Sequence, residues 1–141
     1  MTTVKDQIVA IITPLQLSSV ATVIAGGKPW VRYVMTVGRD DLSVRFATFD
    51  HSRKVAQIAA NPEVHITLGV SDPSMMKPYL QIQGRARFST EAEERHGFWS
   101  EMLGAYFSGP DDPGYGVVVV TPYRIEVAKA GAPEPDVWTA E

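Results

Sequence analysis

The chain has 141 residues, of which 45% are hydrophobic and 21% charged, and these values fit one globular domain with a buried core. Its net charge of −3 argues against nucleic acid or an anionic membrane as a partner, because both attract basic proteins. The sequence has no cysteine, which excludes disulfides, thiolate nucleophiles and cysteine-ligated metal sites.

Neither a signal-peptide core nor an apolar run of about 18 residues occurs in the sequence, so we expect a cytoplasmic protein. No repeat or linker divides it. We predict one domain over residues 1–141, with an irregular tail from residue 131, where Pro133 and Pro135 interrupt any pattern.

The first third of the chain predicts one helix and three strands. Apolar residues at helical spacing predict an amphipathic helix over residues 3–15. Strand-like runs follow over 17–25 and 30–37, and the paired glycines in 26–29 favour a hairpin turn between them. A third strand is predicted over 42–48.

Alternation along the second predicted strand separates its side chains into two faces. One face carries Trp30, Arg32, Val34 and Thr36, and the other carries Val31, Tyr33, Met35 and Val37.

The middle of the chain predicts two further strands, over 63–70 and 79–88, joined by a proline-containing loop over 71–78. The 79–88 strand alternates most clearly. One of its faces is polar and rich in Gln and Arg, which suits a groove or a wet interface, or equally a solvated surface.

The last part predicts a long helix and two strands. Thr90 and Glu93 have the spacing of a capping box, so a long second helix is predicted to begin there. Strands are predicted over 117–120 and 123–128, separated by Pro122. The helix has an apolar stripe that is more typical of core or dimer packing than of a cofactor site, formed by Phe98, Trp99, Met102, Leu103 and Tyr106.

Six or seven short strands with helices set apart from them indicate an α+β fold: a small antiparallel barrel, or a strongly curled sheet, with peripheral helices. Parallel βαβ units would require a helix after nearly every strand, and the sequence does not have that order.

The segment from Thr48 to Lys54 ends the third strand and opens a helix that stops at Pro62. Asp50 or Ser52 can cap this helix. A helix start with a hydroxyl and two cations can bind a phosphate dianion. An ordinary capped helix with two solvated basic residues explains the same pattern.

No residue is assigned as catalytic. The three histidines, at 51, 65 and 96, lack zinc-hydrolase spacing, so no metal site is predicted. Ser52 beside His51 is not a hydrolase pair, because neighbours at a helix start do not face each other. A chain with an anion site and no nucleophile or base is typical of a cofactor binder.

Three ordered blocks, residues 27–37, 47–62 and 80–86, resemble the pyridoxamine 5'-phosphate oxidase-like, FMN-binding split-barrel superfamily. The resemblance is strongest to its general-stress-protein branch and spans roughly residues 3–128. It implies a split barrel and an FMN cofactor held at the two-fold interface of a homodimer.

The resemblance also implies which residues contact the cofactor. The outward face of the second strand, with Arg32, Val34 and Thr36, would lie along the flavin. The phosphate would lie at the helix start, and the partner subunit would contribute the strand that begins at Tyr79, where the oxidase has glutamine. The cofactor-binding set is Arg32, Tyr33, Val34, Thr36, Ala47, Thr48, Ser52, Arg53, Lys54, Tyr79 and Gln81.

Three functions stay open. The first is an FMN-dependent oxidoreductase with a small-molecule redox partner, though not a true pyridoxamine-phosphate oxidase, because the C-terminal aromatic-plus-Arg motif is missing. The second is a relative that binds F420, which also carries a phosphate, or haem, for which a histidine would be the axial ligand. The third is a non-catalytic flavin-binding stress-response protein.

Overall fold

The computed structural model describes residues 2–141 and contains seven strands and three α-helices. The strands are β1 (Gln16–Ile24), β2 (Lys28–Gly38), β3 (Val44–Phe49), β4 (Glu63–Leu68), β5 (Tyr79–Ser89), β6 (Tyr115–Ala128) and β7 (Asp136–Thr139). The helices are α1 (Val4–Ile12), α2 (Arg53–Ala60) and α3 (Ala92–Phe98), and short 3₁₀ turns occupy Ala25–Gly27 and Glu101–Ala105. Within residues 2–141, no helix combines the length and apolar character needed to cross a bilayer.

All strand pairs are antiparallel, in the order β3-β2-β1-β4-β5-β6-β7. An additional pairing between β3 and β6 closes the first six strands into a barrel, and β7 extends the sheet beyond it. The α+β barrel with peripheral helices is therefore confirmed. Closure removes the exposed edges that a six-stranded sheet would otherwise present.

The interior of the barrel is a single apolar core. Ile66, Leu80, Ile82 and Ile125 are fully buried in it, and Ile8 and Ile12 of α1 pack into the same cluster. Thr3 caps α1 in a reciprocal pair with Asp6, so this helix begins as predicted but ends at Ile12, before Pro14.

The barrel is split between β2 and β3. These strands pair at only two positions, Val37 with Arg45 and Gly38 with Val44, whereas β1 pairs with β2 along the whole length of β1. α1 covers the end of the barrel closely at Gly38, where an added Cβ would lie 2.5 Å from the Ile12 side chain. The split leaves a groove between the first part of β2 and the last part of β3.

The predicted long helix after residue 90 is wrong. α3 has only seven residues, Glu91 rather than Thr90 is its N-cap, and no side chain caps it. The chain leaves helical geometry at Trp99 and resumes as the 3₁₀ turn Glu101–Ala105. Burial of the aromatic residues against β6 fixes this path, because Phe98, Trp99 and Leu103 pack on Tyr115 and Val117.

The predicted break at Pro122 is also wrong, because β6 runs without interruption from Tyr115 to Ala128. The register against β5 shifts here, with Gln83 opposite Arg124 and Gly84 opposite Pro122. A β-bulge is one of the positions that tolerates proline within a sheet, because the ladder hydrogen bond is already missing there.

The tail is not wholly irregular. β7 pairs with residues 124–127 of β6, and Trp138 packs against the core. Two prolines precede β7 rather than interrupt it, so they end the loop and leave the strand free to pair.

Candidate functional site

The split between β2 and β3 forms an open groove of about 490 Å³. One end of it lies at the start of α2, where Lys54 and Thr48 contribute polar atoms. The rest is apolar. Its lining consists of Leu15, Leu17, Tyr33, Val34, Met35, Val37, Ala47, Thr48, Phe49, Lys54, Phe98, Ser100, Met102, Leu103, Tyr106 and Phe107.

The two faces of β2 are the reverse of the expected ones. Thr36 is fully buried and shares a 2.6 Å hydrogen bond with Ser18, so the face it shares with Arg32 and Val34 points inward. Tyr33 and Met35 point outward and are 75% and 42% exposed. Thr36 does not line the groove. The alternation was predicted correctly, but the choice of outward face was wrong.

The polar end of the groove is a cluster of hydroxyls and one lysine. Thr48 is buried, and its hydroxyl shares a 2.9 Å hydrogen bond with the Ser52 hydroxyl. Lys54 Nζ donates to Thr48 Oγ1 at 3.0 Å. Ser52 occupies the N-cap position of α2, but its side chain does not cap the helix. The Thr48 hydroxyl therefore contacts both Ser52 and Lys54, and the Ser52 hydroxyl faces Thr48 rather than the helix amides.

Arg32 lies beside this cluster and is held by neutral oxygens. Its Nη2 donates to Gln57 Oε1 at 2.7 Å, and its Nη1 donates to Thr22 Oγ1 at 2.9 Å. Thr22 donates to the same Gln57 oxygen at 2.6 Å. These neutral partners fix the guanidinium in position, and within residues 2–141 it forms no salt bridge.

Burial and mutual repulsion act on these cations. Desolvation lowers the pKa of Lys54, and the positive charge of Arg32 lowers that pKa further. The pKa of Arg32 is lowered by desolvation and then by Arg53, whose guanidinium lies 5.6 Å from the centre of the Trp30 ring. Within the described part of the chain, none of the three cations forms a salt bridge. Such a cluster attracts an anion, and a bound anion would restore the pKa of Lys54.

The opposite wall of the groove is aromatic. Phe107 is buried and packs on Phe49, with 4.7 Å between ring centres, and on Tyr115 at 4.8 Å. The Tyr115 hydroxyl donates to the carbonyl of Arg95 at 2.8 Å, which ties this wall to α3. Met102 and Tyr106 stand in front of it and are 53% and 66% exposed. We call residues 98–107 the aromatic wall.

Six of the eleven expected cofactor contacts do not line the groove: Arg32, Thr36, Ser52, Arg53, Tyr79 and Gln81. Tyr79 lines a neighbouring depression of about 510 Å³ that shares Leu17 and Tyr33 with the groove. Gln81 lies on the outer face of β5, in a polar cluster with His65 and Arg124. A contact from Gln81 to a ligand in the groove would therefore have to come from another subunit.

The histidines do not converge on the groove. His51 lies at the surface next to Asp50, and His96 pairs with Asp111 at 2.7 Å. His65 is half-buried on the outer face of the barrel, where desolvation lowers its pKa. Across residues 2–141, no group of three or more potential metal ligands occurs.

Sequence reasoning did not identify the aromatic wall or Gln57 as parts of the site. Phe98, Trp99 and Leu103 pack against a core cluster, as the apolar stripe predicted. The additional role of this stripe as a groove wall has no sequence signal, because it depends on where the 3₁₀ turn crosses the barrel. Gln57 has no sequence signal either, because it is an isolated polar residue on a helix.

The chain is similar throughout to proteins of one family. A family model described as pyridoxamine 5'-phosphate oxidase matches residues 4–129. General stress protein 26 from Bacillus subtilis is 32% identical over 132 residues, which cover 94% of this chain and 93% of that protein. The crystal structure of General Stress Protein 26 from Bacillus anthracis has a TM-score of 0.82 at 25% identity and covers 96% of this chain and 98% of its own.

Three more distant structures share the fold and differ in the ligand that their names state. An FMN-binding, pyridoxamine 5'-phosphate oxidase-related protein from Nostoc punctiforme has a TM-score of 0.61 at 17% identity, covering 86% of this chain and 78% of its own. A haem-binding protein from Mycobacterium smegmatis has a TM-score of 0.70 at 19% identity and covers 96% of this chain and 56% of its own. An F420 reductase has a TM-score of 0.61 at 23% identity and covers 82% of this chain and 91% of its own.

Proposed function

The chain belongs to the pyridoxamine 5'-phosphate oxidase family, and we propose that it is an FMN-binding flavoprotein with an oxidoreductase role. The observation that carries this proposal is a cluster of three cations, Arg32, Arg53 and Lys54, of which Lys54 lines one end of a mainly apolar groove. Within residues 2–141 none of the three forms a salt bridge. That arrangement fits a flat ligand with a phosphate at one end.

The phosphate would lie between Lys54 and Arg53, at the N-terminus of α2. A dianion there receives two charged donors and the hydroxyls of Thr48 and Ser52, which already lie within hydrogen-bond distance of one another. Arg32 adds a third positive charge from β2. These contacts would offset the repulsion among the cations, none of which forms a salt bridge in the part of the chain that the structure describes.

The ring would lie along Val34 and Ala47, where the groove is apolar. FMN supplies reversible electron transfer when it is bound, and the protein positions it and excludes water. Arg32 would favour a negatively charged ring by its own positive charge. No general acid or base is assigned, which keeps a non-catalytic flavin-binding role as an alternative.

We further propose a homodimer that buries the outer face of β2. Val31, Tyr33 and Met35 are 63%, 75% and 42% exposed beside the groove, and apolar side chains at this density favour burial against a partner. A second copy is the partner that the family resemblance implies. In that arrangement Tyr79 and Gln81 would approach the ligand from the other subunit. The cytoplasmic location stays a prediction from the sequence.

Two other cofactors occur on this fold, and the groove does not favour them equally. F420 also carries a phosphate, so the cation cluster suits it as well as FMN. Haem requires an axial ligand, and none of the three histidines lines the groove. We therefore rank F420 as the second candidate.

The decisive measurement is the visible spectrum and mass of the small molecule that co-purifies with the protein, followed by titration of the stripped protein with FMN. We expect a yellow protein that rebinds one FMN per chain. A colourless protein that does not bind added FMN contradicts the proposal. A ligand mass that matches F420 would identify F420 as the cofactor instead.

A double variant, Arg53→Ala with Lys54→Ala, tests the phosphate contacts. Loss of two charge-assisted contacts predicts about a 100-fold or greater loss of FMN affinity. Lys5→Ala with Arg39→Ala is the matched control, because it removes the same charge from exposed positions outside the groove lining. Equal affinity in the two variants would refute the assignment of the phosphate.

A further inference from the structure

The groove has two chemically different halves. A phosphate-bearing cofactor accounts for the half with Lys54 but not for the aromatic half. Lys54 is the only charged side chain that lines the groove in the described part of the chain. The aromatic wall, on the other side, offers the apolar faces of Phe98, Leu103 and Phe107. Met102 and Tyr106 extend from this wall and are more than half exposed.

We propose that the aromatic wall binds an uncharged, planar aromatic or quinoid molecule beside the cofactor. This inference rests on the proposed flavin site, since it assigns the substrate class of the same groove. A charged substrate would lose hydration on binding to the aromatic wall and would gain no counter-charge from it, so its transfer from water is unfavourable. A flat neutral molecule loses no such hydration and gains contact with aromatic faces.

The wall is rigid enough to discriminate between shapes. Phe107 is held between Phe49 and Tyr115 at ring separations of 4.7 and 4.8 Å. Asp112 accepts hydrogen bonds from the backbone amides of Ser108 and Gly114 at 2.9 and 2.8 Å, which fixes the loop that follows the wall. The front of the wall is adaptable, because Met102 has a flexible side chain that fits varied ring systems.

Ser100 and the Tyr106 hydroxyl are the polar groups of this half. Both are neutral, and hydroxyls can donate to the carbonyl oxygens of a quinone. Their presence favours a quinoid molecule over a pure hydrocarbon, because a bound carbonyl would satisfy a donor on the wall.

The test uses equilibrium dialysis of the FMN-loaded protein with two ligands of the same ring size. The first is 2-(hydroxymethyl)-9,10-anthraquinone, which is uncharged, and the second is 9,10-anthraquinone-2-sulfonate, which is an anion. We expect the neutral quinone to bind at least tenfold more tightly, with FMN retained. Equal binding of the two, or tighter binding of the sulfonate, overturns the inference.

Met102→Lys locates the binding on the wall. A cation placed there is expected to weaken binding of the neutral quinone about tenfold. It should also narrow the difference in affinity between the neutral quinone and the sulfonate. Met75→Lys is the matched control, because Met75 is similarly exposed, at 59% against 53%, and does not line the groove. An unchanged quinone affinity in Met102→Lys overturns the assignment to the wall.

The FMN content of each sample separates this inference from the proposed function. If the wild-type protein fails to take up FMN, the flavin proposal fails. If FMN binds and the neutral quinone displaces it, the wall belongs to the cofactor's own site and only the further inference fails.

Discussion

Buried and partly buried basic side chains on this barrel have two different kinds of hydrogen-bond partner, either a carboxylate or neutral oxygens. Arg45 is buried, and its Nε and Nη2 donate to both carboxylate oxygens of Glu94 at 2.7 and 3.1 Å. Arg32 and Lys54 are partly buried too, but their partners are neutral oxygens of Gln57, Thr22 and Thr48.

The difference separates a structural charge from a functional one. The Arg45–Glu94 pair is neutral overall and joins β3 to α3, so it needs nothing from outside the protein. The cluster around Lys54 keeps its positive charge, and desolvation of unpaired charge destabilises the folded protein unless an anion binds. We therefore expect mutations in the first group to change stability and mutations in the second group to change ligand affinity.

Glu94→Gln should have the largest effect on stability. It keeps the shape of the side chain and leaves Arg45 buried without a counter-charge, which typically costs about 3 kcal/mol or more. Urea unfolding of the ligand-free protein measures this change, and the FMN affinity should stay within about threefold of wild type. A loss below about 1 kcal/mol would contradict a structural role for the pair.

Lys54→Met should show the reverse pattern. Removing one charge-assisted contact is expected to weaken FMN binding by about 1.5–3 kcal/mol. The ligand-free protein should be as stable as wild type or more stable, because a half-buried lysine and its repulsion from Arg32 are both removed. Fluorescence titration and urea unfolding together test this, with Lys77→Met as the exposed control. A large loss of stability without loss of affinity would make Lys54 structural.

Inorganic phosphate should stabilise the ligand-free protein through the same cluster. At ten times its dissociation constant, a ligand adds about 1.4 kcal/mol, which corresponds to a rise of a few °C in Tm. Arg53→Ala with Lys54→Ala should lose most of this rise, whereas Glu94→Gln should keep it. An equal rise in the double variant would mean that phosphate acts on the protein nonspecifically.

Acid pH should produce the smallest change in stability, and this change should come from the Arg45–Glu94 pair rather than from the cluster around Lys54. The hydrogen bond from Arg45 is the largest cause that lowers the pKa of Glu94 from its ordinary value of 4.5. The stability that this carboxylate contributes is therefore complete above pH 4.5 and is lost as the pH falls through the lowered pKa. Wild type and Glu94→Gln should converge in stability as the pH falls below 4.5. A constant difference across this range would contradict the assignment.

The sequence predicted the strands well where alternation was strong. The polar and apolar faces of β5 and the helix that starts after Thr48 are where periodicity placed them, because both patterns reflect a single buried face. Errors arose where distant contacts decide the local structure. Aromatic packing on β6 interrupts the predicted long helix, a bulge opposite Gly84 accommodates Pro122, and the exposed side of β6 recruits residues 136–139 as a strand.

The site divides in the same way. Arg53, Lys54 and Ser52 could be proposed together from the sequence because the helix start lies within one short segment, and their contact with a phosphate stays a prediction. The inward orientation of Arg32, its bond to Gln57 and the aromatic wall could not, because they join residues from separate strands and helices.

The sequence by itself determined a fold of short antiparallel strands with peripheral helices, a basic helix start and the absence of thiol chemistry, because each follows from composition or from patterns between near neighbours in the chain. Closure of the strands into a barrel depends on the pairing of β3 with β6, which are far apart in the chain. Only the tertiary structure decided that β2 and β3 separate after two residue pairs. That separation creates the groove and sets an unpaired cation cluster at one end and an aromatic wall along its side. It depends on how α1, α3 and β6 pack around the barrel, and no local pattern encodes that packing.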